Sequence, residues 1–245
     1  MPVGSGLRVR APSGRHAGSH AAPTLVACPR AAREATFERS TTIRESRLTD
    51  TLSQLRQGIE GSIAVKQAVL ADDDLLARIA RVAEAMTETI ARGHRILFAG
   101  NGGSAADAQH LAAEFVSRFA FDRPGMPALS LATDTSTLTA IGNDYGYEQL
   151  FSRQVQAQAR PGDLFVGITT SGRSKNVLAA FAACRRLGVT SVALCGAGGE
   201  LEALVDHVIR VPSDQTARIQ ECHILLGHLM CEQVERRRFG PRRPA

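Results

Sequence analysis

The stretch 95-RILFAGNGGSAADAQHLAAEF-115 decides the fold. Its first six residues make a short apolar run of strand length. Asn101-Gly102-Gly103-Ser104 stops that run, because two adjacent glycines allow a sharp turn and a close approach of backbone to a ligand. Small and apolar residues then follow at helical spacing, with His110 and Glu114 four positions apart. A strand, a glycine turn and a helix in this order are the building unit of a parallel sheet.

The same alternation continues downstream. Strand candidates are MPALSLAT (126–133), DLFVGITT (163–170), SVALCG (191–196) and HVIRVP (207–212). Helices are expected over 104–119, about 147–159, 174–187 and about 215–237. Two further helices, 48–70 and 73–92, precede the first strand. In the second of them Leu75, Ile79, Val82, Met86 and Ile90 recur at helical spacing behind Asp72 and Asp73. Buried strands separated by helices predict an α/β fold, a doubly wound parallel sheet that binds ligands at the carboxyl ends of its strands.

Residues 1–46 differ from the rest. They are rich in Arg, Gly, Pro, Ala and Ser, and the first acidic residue is Glu34. We read them as a disordered basic extension or the product of a mis-assigned start codon, in preference to a transit peptide, and residues 47–240 as the domain. No apolar core of a secretory signal is visible in them. Of the formal net charge of +5, residues 1–47 carry the whole surplus, with eight Arg against three Glu. A folded nucleic-acid binder shows its basic stripe on the fold itself, so nucleic acid is not the expected partner. Five scattered cysteines form no CxxC, which excludes a disulfide framework and a cysteine-type zinc site and suits a reducing cytoplasm. Apolar runs of strand length exclude a membrane span.

Four motifs carry chemistry. The NGGS turn lacks the G-x-G-x-x-G of dinucleotide folds and the GK[ST] of nucleotide-binding loops, yet sits before a helix whose N-terminus suits an anion. In 163-DLFVGITTSGRSKN-176, Thr169, Thr170, Ser171 and Ser174 surround one turn. An N-cap needs only one hydroxyl, so four point to a phosphate monoester. His110 and Glu114 lie about 40° apart on one helix face. They could ligate a metal or serve one substrate, although spacing alone fits an ordinary surface pair as well. In 216-TARIQECHILLGHL-229, Gln220, His223 and His228 are polar positions on an amphipathic helix that spacing cannot rank.

Taken together and in order, the blocks GNGGSAADAQHLAAEF, RPGMPALSLATDTSTLTAIGNDYGYEQLFSRQV, GITTSGRSKNV and TARIQECHILLGHL resemble the SIS phosphosugar-isomerase domain, and more narrowly the phosphoheptose isomerases, over residues 50–235. The resemblance implies a three-layer sandwich around a five-stranded parallel sheet, with extra N-terminal helices. It implies a homotetramer with interfacial active sites, and one zinc held by His110, Glu114, Gln220 and His228, which selects His228 over His223. Substrate contacts would fall on Asn101, Gly102, Gly103, Glu114, Asn143, Asp144, Thr169, Thr170, Ser171, Ser174 and Gln220. Glu114 would be the base and His228 the acid of a ketose–aldose isomerisation of D-sedoheptulose 7-phosphate. Thr169 stands where that family often has Ser, and Arg173 where it often has Asn, which adds a positive charge beside the expected phosphate. Two rival families share parts of this pattern. One is an isomerase or sensor of another sugar phosphate. The other is a tetrameric adaptor of the bacterial replication initiator DnaA, whose members lack the acid–base residues found here at Glu114 and His228.

Overall fold

The computed structural model describes the backbone of residues 30–240 and the side chains of residues 47–240. The chain divides into two units, Met1–Ser53 and Gln54–Ala245. Of the first unit, residues 1–29 lie outside the described residues; its described part is helical. Helix α1 is Arg30–Leu70 and so begins well before the expected start at Leu48. Everything below concerns the second unit.

Helix α2 (Asp73–Ala91) starts where Asp72 accepts the Leu75 N–H at 2.9 Å, a side-chain cap reinforced by Asp73 and Asp74 in the first turn. Five strands follow: β1 (Ile96–Gly100), β2 (Ala128–Ser130), β3 (Leu164–Thr169), β4 (Thr190–Cys195) and β5 (His207–Arg210). All neighbours are parallel, in the order β2-β1-β3-β4-β5. Helices α3 (Gly103–Val116), α4 (Thr135–Tyr145), α5 (Leu150–Gln158), α6 (Lys175–Leu187) and α7 (Thr216–Phe239) cover the two faces.

Every residue of β1 and β3 is buried, because both faces are covered. Alternate side chains serve alternate cores. Ile96, Phe98, Val166, Ile168 and Leu194 pack with α2, α3 and α7. Leu97, Ala99, Phe165 and Ala193 pack with α5 and α6 on the other side. The five-stranded parallel sheet with helices on both faces is the expected fold.

The departures are local. Strand β2 is shorter than 126–133, because Pro127 has no N–H to donate and the Met126 N–H goes to the Phe115 carbonyl at 3.0 Å. A 3₁₀ turn, Tyr147–Gln149, precedes α5 where one helix was expected. Helix α4 was not expected. Its Thr-rich, Gly-containing sequence is a poor helix former, and it starts because Asp134 accepts the Thr137 N–H at 3.1 Å.

This strand order has one reversal. From β1 the chain passes through α3 to β2 at one edge, whereas β3 lies on the other side of β1 and leads through α6 to β4. A crevice therefore opens between the carboxyl ends of β1 and β3.

Candidate active site

The crevice receives the NGGS turn from β1 and the Thr/Ser loop from β3. Asn101 and Asn176 join them with reciprocal amide hydrogen bonds of 2.9 and 2.8 Å. The Tyr147 hydroxyl donates to Asn101 Oδ1 at 2.9 Å. Gly102, with φ +56°, stands at the N-cap position of α3, so no side chain caps that helix. Ser174 stands at the same position of α6, yet its hydroxyl lies 2.9 Å from the Thr169 hydroxyl and caps nothing. The Ser171 hydroxyl accepts the Arg173 N–H at 3.1 Å. Two helix N-termini without side-chain caps, surrounded by hydroxyls, favour a negatively charged group.

Gly103 is the first residue of α3, and a Cβ built there would lie 2.3 Å from Gln220 Nε2. The missing side chain lets the α7 amide reach the glycine turn. Asn143 and Asp144 lie exposed in the last turn of α4, with Asn143 Nδ2 donating to Asp144 Oδ1 at 2.8 Å. The structure pairs them with each other; the chain regains the crevice at Tyr147.

Further along α3, His110 and Glu114 meet His228 of α7. His110 Nε2 lies 2.9 Å from His228 Nε2 and 3.3 Å from Glu114 Oε1. One ligand atom from each of the three falls within 4.8 Å of the others. Ligands about 2.1 Å from a tetrahedral zinc sit roughly 3.4 Å from one another, so this His₂Glu set fits such an ion and leaves a position open. Burial lowers the pKa of His228, His110 lowers it further, and Glu114 opposes both. At neutral pH its imidazole is uncharged and able to ligate or to donate one N–H.

Alternative groups are withdrawn from chemistry. His223 is fully buried, five residues and so about 140° around the helix from His228, and neither of its ring nitrogens makes a full hydrogen bond. The free thiols of Cys184 and Cys195 are buried, and burial pushes them up to about 12 and about 11. Sequence reasoning passed over three residues. Asp107 shares a helix face with His110 and Glu114, a spacing visible in D-x-x-H-x-x-x-E. It has a buried Oδ2 without a partner, and burial raises its pKa against the opposing influence of His110. Asn176 and Tyr147 carry no comparable signal, since their partner Asn101 is distant in sequence.

A family model described as the SIS domain matches residues 35–196, so fold and crevice define an SIS-domain protein. The chain is 57% identical over 182 residues to a phosphoheptose isomerase of Aneurinibacillus thermoaerophilus, covering 74% of this chain and 92% of that one. It is 55% identical over 190 residues to a phosphoheptose isomerase of Burkholderia pseudomallei, covering 77% and 96%. Among solved structures, a phosphoheptose isomerase from Francisella tularensis superposes with a TM-score of 0.73 at 37% identity, over 76% of this chain and 98% of that one. One from Neisseria gonorrhoeae gives 0.70 at 43% identity, over 75% and 97%. The chain belongs to the phosphoheptose isomerase family, enzymes of the aldose–ketose, sugar-phosphate isomerase type. Among the described residues no helix is long and apolar enough to cross a membrane.

Proposed function

We propose that this chain converts D-sedoheptulose 7-phosphate to D-glycero-D-manno-heptose 7-phosphate in the cytoplasm, the first step of activated heptose synthesis, as in lipopolysaccharide. The observation that carries the reading is the meeting of His110, Glu114 and His228 on α3 and α7, with a glycine turn before α3 and a Thr/Ser loop before α6 that suit a phosphate. His110 lies seven residues beyond Gly103, about 10 Å along the helix axis, a span of the order of an open-chain heptose phosphate.

Glu114 takes a proton from C1 of the ketose and returns it at C2, giving the aldose through an enediol. His228, neutral at working pH, donates to and accepts from the substrate oxygens. Asn101, Gly102, Gly103, Asn143, Asp144, Thr169, Thr170, Ser171, Ser174 and Gln220 hold the sugar phosphate, so that binding of the remote phosphate positions the reacting carbons. His110, Glu114 and His228 would hold zinc, which when bound polarises the substrate carbonyl; within the subunit the Gln220 amide stays at the Gly103 turn, about 10 Å along α3 from His110, and does not join them.

The working domain is assigned to residues 47–240, with 1–46 as an appendage. The assembly is a homotetramer with interfacial sites. Its support is an apolar stripe on α1, with Leu55, Ile59 and Ile63 each about half exposed or more. These residues line a groove with Lys66, Arg218 and Glu221 that a second copy would cover.

The test is turnover by the purified full chain with and without zinc, followed by NMR. Appearance of D-glycero-D-manno-heptose 7-phosphate is the expected result. A zinc-loaded protein that leaves sedoheptulose 7-phosphate untouched while isomerising another phosphosugar would refute the heptose assignment.

A further inference from the structure

A buried ion pair that the chemistry above does not use links the loop joining α3 to β2 with α7. The side chains of Arg123 and Glu235 are 0% and 1% exposed, and Arg123 Nε donates to Glu235 Oε1 at 2.9 Å. Each charge has further partners. Arg123 Nη2 donates to the carbonyl of Glu114 at 2.7 Å. Its Nη1 donates to the carbonyls of Phe115, Ser117 and Pro124 at 2.6, 3.2 and 3.1 Å. Glu235 Oε1 accepts the Phe119 N–H at 2.9 Å, and Oε2 accepts the Ala120 N–H at 2.8 Å.

The guanidinium therefore takes up end carbonyls of α3 that have no partner within the helix, and one of them belongs to Glu114 itself. The carboxylate grips the next turn of chain from α7, where Glu235 sits two turns beyond His228 on the same face. Phe119, whose N–H it holds, lays its ring 5.6 Å from the His228 ring. A buried ion pair stabilises a fold no better than apolar residues of similar volume. Its geometry, however, ties the end of α3 to α7 at a fixed spacing.

We propose that Arg123 and Glu235 are positioning residues that set the distance of Glu114 and His110 from His228, and so shape the metal and acid–base centre. This rests on the roles proposed above for those three residues.

The experiment titrates the metal-free full chain with cobalt(II), read by its visible absorption, and measures kcat and KM of the zinc-loaded form. The variants are Glu235→Gln and the double variant Arg123→Met/Glu235→Leu, which leaves no buried charge unpaired. Phe181→Leu, in the opposite core, is the stability control. Glu235→Gln and the double variant are expected to weaken cobalt binding about 10- to 100-fold, the effect of losing an outer-shell partner. They should also shift the absorption bands and lower kcat with KM nearly unchanged. Phe181→Leu should lower Tm and alter none of these. Wild-type binding and spectrum in both variants would overturn the proposal and leave the metal reading standing. A wild-type chain that binds no cobalt would overturn both.

Discussion

Gly103 and Gln220 meet where any side chain on residue 103 would displace the amide. A Cβ on Gly103 would fall 2.3 Å from the Gln220 amide, yet the backbone there is ordinary helix and tolerates alanine. Gly103→Ala should therefore keep Tm within a few degrees while pushing the Gln220 amide aside, with kcat/KM down about 10- to 100-fold, the scale of a misplaced contact. Thermal melting beside steady-state kinetics checks this, and unchanged kinetics would remove Gln220 from the site. At this scale the sequence was partly legible. Hydroxyl density marked Thr169 to Ser174, and helical spacing marked His110 with Glu114. It could not rank Gln220, His223 and His228, because only the packing of α7 against α3 decides which of them faces His110. Arg123 and Glu235 left no signal, since each finds its partners through tertiary contact alone.

Among the elements, β1 and β3 announced themselves, because strands buried on both faces are continuous apolar runs. Helix α4 did not. Thr and Gly lower its propensity, and only its cap and its packing hold it. Both Asp134 oxygens are used, one on the Thr137 N–H at 3.1 Å and one on the Thr137 hydroxyl at 2.7 Å. Asp134→Ala should lower the stability of the protein, as the loss of a helix cap does. Urea unfolding measures it, and no change would show that packing alone sustains α4. The uncapped starts of α3 and α6 are the converse case. Neither Gly102 nor Ser174 caps its helix with a side chain, and the glycine and hydroxyl residues at these starts are what the sequence displayed.

For the whole molecule, His223 couples stability to pH. Burial holds its imidazole down to about 4, with the Cys195 backbone pulling the other way and outweighed. The unfolded chain takes up this proton near 6.5 and the folded chain only near 4, so stability falls as pH drops between those values, by about 3 kcal/mol. His223→Leu should match wild type at pH 8 and exceed it at pH 4.5; parallel pH profiles of the two proteins would refute this. The sheet order, which no single motif carries, gathers the glycine turn and the hydroxyl loop at one crevice and leaves the His–Glu–His cluster on the helices that frame it. The claim that this cluster performs the isomerisation is tested most directly by incubating sedoheptulose 7-phosphate in deuterated water with wild type and with Glu114→Gln. Wild type should give a heptose 7-phosphate carrying deuterium at C2, and Glu114→Gln should fall by about a thousandfold or more, within the range of a lost general base. A Glu114→Gln variant that labels and turns over substrate as wild type does would contradict the account.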